Sequence, residues 1–155
     1  MFLNTDYNSV VSVLSDPVSP LKIFPQVKEC SIVKNECPDT CRKISAGYDV
    51  MGVGLHYNYI DRITEVEESD SSFFIKSVLF DSLDKKIEDY HGYWKIEKID
   101  SEIYQNLIKV SLSSYYKYVK PFQFQKEIIQ TLVSNESVRM FYNLKDAAES
   151  TTAKE

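Results

Sequence analysis

PFQFQKEIIQTLVSNESVRMFYNLK, residues Pro121 to Lys145, is the stretch whose reading decides the fold. Pro121 suits a first helical turn, where its missing N–H leaves nothing unpaired. Phe124, Ile128, Leu132 and Val133 then recur at spacings of three and four, with Gln123, Gln125, Lys126, Glu127 and Gln130 between them. That is the period of an amphipathic helix with one apolar stripe. Val138, Phe141, Tyr142 and Leu144 continue it, with a kink or break expected at Ser134-Asn135-Glu136-Ser137. A stripe of this kind needs a sheet to lie on, and the preceding chain supplies one.

Working back from the helix, residues 27–118 read as consecutive strands. Val27 to Lys34 is followed by a turn over Asn35 to Asp39 centred on Pro38-Asp39, then by a strand from Thr40 to Val50. Gly52 and Gly54 mark a bend or bulge. Around it Val53, Leu55, Tyr57 and Tyr59 share one face by the two-residue period, with His56 and Asn58 on the other. Glu65 to Asp70 reads as a polar turn, Phe73 to Phe80 as a strand, and Asp81 to Lys86 as another turn. Ile87 to Ile99 places Tyr90, Gly92, Trp94 and Ile96 on one side. After a tight connection at Asp100-Ser101, Tyr104, Ile108, Val110 and Leu112 align on the last strand. Short connections with no intervening helix predict an antiparallel meander, and six such strands must twist and curl. Ahead of them, Met1 to Asn4 is a short strand. Asp6 caps a short helix that Asp16-Pro17 ends. A second short helix starts at Ser19-Pro20 and stops at Pro25. The fold class is therefore α+β, with a curved antiparallel sheet wrapped around a long C-terminal helix and two short helices after the first strand. One domain spans residues 1–148. Residues 149–155 form a polar tail expected to fray.

Composition narrows the function. The chain has 155 residues, ordinary hydrophobic content and a formal net charge of -5, which disfavours a nucleic-acid groove. Neither a secretory leader nor an apolar run of about 20 residues is evident, so a soluble, cytoplasmic protein is expected. Cys30, Cys37 and Cys41 fit a reducing compartment. The Cys37–Cys41 spacing is wrong for a typical zinc pair, so these are read as unrelated side chains near a hairpin. The acidic run Glu65, Glu67, Glu68 and Asp70 reads as a solvated hairpin end, and Lys117, Lys120 and Lys126 as surface charge. No metal and no cofactor is expected. Tyr57, Tyr59, Asp61, Tyr90 and His91 are candidate acid/base groups, but Tyr90 and His91 are adjacent on a strand and only one can point inward.

The order of elements, the opening NTDYNSVVSVLSDP at residues 4–17 and Phe24-Pro25-Gln26-Val27 together resemble the helix-grip fold of the START/Bet v 1-like (SRPBCC) superfamily. In extent and spacing the chain is similar to small archaeal members such as the group called DUF3211. The resemblance implies a hydrophobic cavity between sheet and helix. Members bind lipids, sterols or polyketides, some are cyclases or dehydratases, and some are chaperone activators. The superfamily has no universal catalytic motif, so no catalytic residue is assigned. The expected function is binding or carriage of an apolar small molecule or lipid. A protein-interaction module with a filled cavity comes next, and a cyclase- or dehydratase-like enzyme last. Two-residue periodicity nominates Leu55, Tyr57, Tyr59, Tyr90, Trp94, Ile96, Ile108, Val110 and Leu112 as the cavity wall on the sheet. The helix contributes Phe124, Ile128 and Leu132.

Overall fold

In chain order the elements are β1 (Phe2–Asn4), α1 (Tyr7–Ser15), α2 (Pro20–Ile23), β2 (Val27–Val33), β3 (Cys41–Val50), β4 (Val53–Glu68), β5 (Ser72–Ser82), β6 (Ile87–Lys98), β7 (Leu107–Tyr118) and α3 (Lys126–Thr152). The computed structural model describes residues 1–34, 37, 39–50, 53–119 and 126–152, with side chains at all of these but 49, 50, 53, 126–135 and 152. The strands form one antiparallel sheet in the order β1-β7-β6-β5-β4-β3-β2. Six strands make a meander, and β1 returns to pair with β7, Leu3 opposite Ile108. This is the α+β helix-grip arrangement. One edge is only three residues long, and the other, β2, carries exposed Lys28, Glu29 and Ser31, both of which discourage edge-to-edge pairing.

One face of the sheet is buried beneath the helices. Phe73, Ile75, Trp94, Ile96, Ile108 and Val110 pack against Val10, Val13 and Leu14 of α1, Ile23 of α2, and Met140, Leu144 and Ala148 of α3. The last three recur every four residues and so share one helical stripe. Asp6 starts α1 as expected, its carboxylate accepting from the Ser9 N–H at 2.7 Å. The outer face is polar. Lys95 and Glu97 pair at 2.8 Å, Lys117 and Glu88 at 2.8 Å, and His91 stacks on Tyr115 at 4.8 Å. Among the described residues no helix is long and apolar enough to cross a membrane.

Several local expectations are corrected. Residues 65–68 continue β4 instead of turning, because Glu65, Val66, Glu67 and Glu68 pair with Lys76, Ile75, Phe74 and Phe73 of β5 while their side chains stay in solvent. The turn is at residues 69–71, closed by the Ser69 N–H donating to the Ser72 carbonyl at 2.8 Å. Asp81 belongs to β5. The following turn is made by Asp84, whose carboxylate accepts from the Asn58 and Lys86 N–H groups, and by Lys85 at φ 59. Tyr104 lies in the 99–106 connection, half exposed, because the Ser101 hydroxyl accepts from its N–H and breaks the strand pattern. Helix α3 runs unbroken through Ser134–Ser137 and on to Thr152, past where a tail was expected. The Ser150 and Thr151 hydroxyls there donate back to the Asp146 and Ala147 carbonyls. Val138 and Tyr142, read as part of the apolar stripe, are exposed. Cys37 and Cys41, read as unrelated side chains, are joined by a disulfide. Pro38, Gly52, Lys120, Pro121 and Phe124 lie outside the described residues, as do the side chains of Lys126, Ile128, Leu132 and Val133.

Candidate functional site

Two residues on neighbouring strands set the character of the inward face beyond the apolar core. Arg42 of β3 lies directly opposite Asp61 of β4. Its guanidinium donates from Nε to Oδ1 at 2.9 Å and from Nη2 to Oδ2 at 2.5 Å. The fork matches the carboxylate in the two-point geometry that makes such pairs strong. Asp61 is fully buried and Arg42 is 8% exposed. A charge pair this deep is tolerated because each member cancels the other. Burial works against the Arg42 charge, but Asp61 beside it outweighs burial and the guanidinium is held even more firmly protonated than usual.

Around the pair stands a group of tyrosines. Tyr57 and Tyr59 of β4, Tyr90 of β6, and Tyr116 and Tyr118 of β7 form a chain of ring contacts, at centroid separations from 4.6 Å for Tyr90–Tyr116 to 6.3 Å for Tyr59–Tyr116. The Tyr59 and Tyr116 hydroxyls are 3.2 Å apart, and the Tyr90 hydroxyl is 3.1 Å from that of buried Ser77. Burial, followed by the Asp61 charge, pushes Tyr90 up to about 12. Burial likewise raises Tyr57, Tyr59 and Tyr116 well above the ordinary tyrosine value. These phenols are therefore neutral hydrogen-bonding groups at physiological pH. Gly92 makes room for Tyr90, since a Cβ there would come within 2.9 Å of its hydroxyl.

Two small cavities meet at this group. One, of about 40 Å³, is lined by Ser77, Tyr90, Trp94 and Leu112 on the sheet and by Leu14, Pro20 and Phe24 at the helices. The other, of about 20 Å³, is lined by Ile44, Ala46, Tyr59 and Asp61. Gln26, Arg42, Tyr90 and Tyr116 border both. On this measure a water needs roughly 10–15 Å³, so the two hold about three waters and about one. The Gln26 Oε1, on a residue 6% exposed, has no hydrogen-bond partner among the described residues. A larger open groove of about 660 Å³ runs along the outside of α1, α2 and α3. Within its lining Asn143 donates to the Ile23 carbonyl, Lys22 pairs with Asp16, and Ser150 and Thr151 bond within α3.

The nominated sheet residues all face inward, but they divide. Trp94, Ile96, Ile108 and Val110 belong to the core beneath the helices, with half-buried Leu112 packed against it. Leu55, Tyr57, Tyr59 and Tyr90 belong to a second cluster with Cys30, Ile44, Ala46 and Ile87. Ile96, Ile108 and Val110 touch neither cavity, whereas Trp94 borders the larger one between Phe24 and Phe141, each 5.9 Å away. Of the adjacent pair, Tyr90 enters the site and His91 stays outside beside Asp89. The sequence names Asp61 as a candidate acid/base group, whereas Arg42, Gln26, Ser77, Tyr116 and Tyr118 were missed. Continuing Ile108, Val110 and Leu112 by two-residue steps leads to Tyr116 and Tyr118, so that signal was present. Cys30, near Arg42, is kept protonated by burial, its pKa pushed up to about 11.

No protein-family model matches the sequence, and no curated protein matches it significantly. Solved structures do share the fold. The chain is similar over 98% of its length to the di-domain aromatase/cyclase BexL of the BE-7585A biosynthetic pathway, at 18% identity and a TM-score of 0.59, and spans 45% of that larger chain. It is similar to the Zhui aromatase/cyclase from Streptomyces sp. R1128, at 13% identity and TM-score 0.63, covering 96% of this chain and 90% of that one. It is also similar to a START superfamily protein from Mycobacterium smegmatis, at 14% identity and TM-score 0.63, covering 97% and 94%. The helix-grip fold of START and Bet v 1-like proteins is thus shared at the level of architecture. The narrower likeness to the archaeal group remains an expectation.

Proposed function

We propose that the protein binds an apolar small molecule, lipid- or polyketide-like, between the sheet and α3. One observation carries the reading. The inward face is packed under the helices at one end, whereas at the other a connected group of five neutral tyrosines reaches two small cavities, which Tyr59, Tyr90 and Tyr116 border. A drug-sized ligand needs a site of about 300 Å³ or more. The cavities therefore suit one group of the ligand, and its body would lie along Tyr57, Tyr59, Tyr116 and Tyr118. Leu55, Tyr90, Trp94 and Leu112 would complete the sheet side, and Phe124, Ile128 and Leu132 the helix side. Native mass spectrometry of the purified protein should reveal a retained apolar mass that is lost on denaturation. Trp94, the sole tryptophan, should change its emission when an apolar aromatic probe binds. A protein that carries no mass and takes up no apolar probe overturns the reading.

A second reading, an enzyme of cyclase or dehydratase type, is favoured by the convergence of Arg42, Asp61, Tyr59 and Tyr90 on the smaller cavity. Two of the structurally similar proteins are aromatase/cyclases. Against it, the Arg42 and Asp61 charges satisfy each other and the tyrosines are pushed away from neutral pH, which suits binding better than proton transfer. A retained mass recovered chemically changed after incubation would favour the enzyme.

A further inference from the structure

Gln26 is the unexplained group in the site. Its side-chain oxygen is buried without a donor among the described residues. Such an atom is costly to leave unpaired, so the space it borders suits a donor, a water in the free protein or a ligand group that displaces it. Arg42 borders the same two cavities, and both its hydrogen bonds among the described residues go to Asp61, from Nε and Nη2. A guanidinium has five N–H donors, so it retains capacity to donate to a further acceptor. The cavities thus offer one acceptor, spare donors and room for a few heavy atoms.

Resting on the binding reading above, we infer that Gln26 and Arg42 form a polar anchor that takes a neutral hydroxyl of the ligand, which donates to Gln26 Oε1 and accepts from Arg42. A carboxylate is the wrong group. It has no proton for Gln26, and the Arg42 charge it would seek is already matched by Asp61, whose own negative charge is fully buried beside the space. Like charges in such surroundings repel strongly. A bare hydrocarbon fits the walls but leaves Gln26 unpartnered. The site therefore ranks ligands of one shape in the order hydroxyl, methyl, carboxylate.

The test uses the full chain and three probes of matched shape: 2-naphthol, 2-methylnaphthalene and 2-naphthoic acid, titrated at neutral pH with Trp94 emission and calorimetry as readouts. Naphthol should bind about tenfold tighter than methylnaphthalene, the worth of one good hydrogen bond in a buried site, and naphthoate should bind weakest. Gln26→Leu should erase the naphthol advantage, so that naphthol and methylnaphthalene bind alike. Gln26→Met, closer in length, serves if the first variant does not fold. Equal binding of naphthol and methylnaphthalene, tighter binding of naphthoate, or an advantage that survives both substitutions overturns the anchor while the binding reading stands. Failure of all three probes to bind overturns the binding reading itself.

Discussion

Asp61 has no contact with solvent, and Arg42 opposite it carries the compensating charge. Truncating Asp61 to Ala leaves a buried guanidinium without an anion and should cost about 3–5 kcal/mol. The double change Arg42→Leu/Asp61→Leu removes both charges and should recover most of that loss, as urea unfolding midpoints will show. If the double variant is less stable than both single ones, the pair is a net source of stability and this account of it fails. Gly92→Ala should cost about 1–3 kcal/mol by overpacking, because the new methyl meets the Tyr90 hydroxyl and the Ser113 carbonyl. At this scale the sequence was legible wherever a strand's phase could be read. Leu55, Tyr57 and Tyr59 point inward as the period requires, and Asp61 follows on the same face. Arg42 was missed because nothing phased residues 40–50 until β3 and β4 were paired, and pairing depends on register across a hairpin. Gln26 precedes a strand, where no period applies.

Helix α3 can be interrogated by two nearby residues with opposite surroundings. Leu144 is wholly buried against the sheet, and Tyr142 is 56% exposed. Leu144→Ala should cost about 2–5 kcal/mol, and Tyr142→Ala less than about 0.5 kcal/mol, as thermal or denaturant unfolding will report. At the other end of the chain, Asp6→Ala removes the α1 cap from the Ser9 N–H and should cost about 1 kcal/mol. The helices and strands were legible from caps, prolines and periods. The exceptions have physical causes. Polar residues 65–68 stay in a strand because pairing with β5 satisfies their backbone, and a run of charges carries no information about that partner. Glu136 was read as a breaker, yet it continues the four-residue spacing of Met140, Leu144 and Ala148. Its Oε1 accepts from Arg139 at 3.0 Å within the helix.

The molecule as a whole should be sensitive to alkali. In the unfolded chain tyrosines lose their protons near pH 10, whereas Tyr90 in the native state keeps its proton until about pH 12. Between those limits the unfolded state binds fewer protons, so stability falls as pH rises, by about 1.4 kcal/mol per unit of separation for each such residue. Below pH 10 the contribution is present in full. Tyr57, Tyr59 and Tyr116 act in the same direction. Tyrosinate absorbance should stay short of the full value for all eleven tyrosines until the circular dichroism is lost, over about pH 10 to 12, because these buried phenols ionise only as the sheet opens. Ionisation of all eleven with the dichroism unchanged would show that the buried phenols are accessible to solvent. The meander was legible in the short connections, but the seat of β1 was not, since no local signal names a partner a hundred residues away. That seat bears on how the chain acquires its shape. Residues 2–4 can dock only after residues 107–109 exist and stand beside β6. On a ribosome, residues 2–4 wait through the synthesis of about a hundred further residues for their place. Closing so long a loop is slow compared with forming neighbouring hairpins. In refolding, the amides of β1 should gain protection from hydrogen exchange after those of β4 and β5, making the first strand of the chain among the last to be secured.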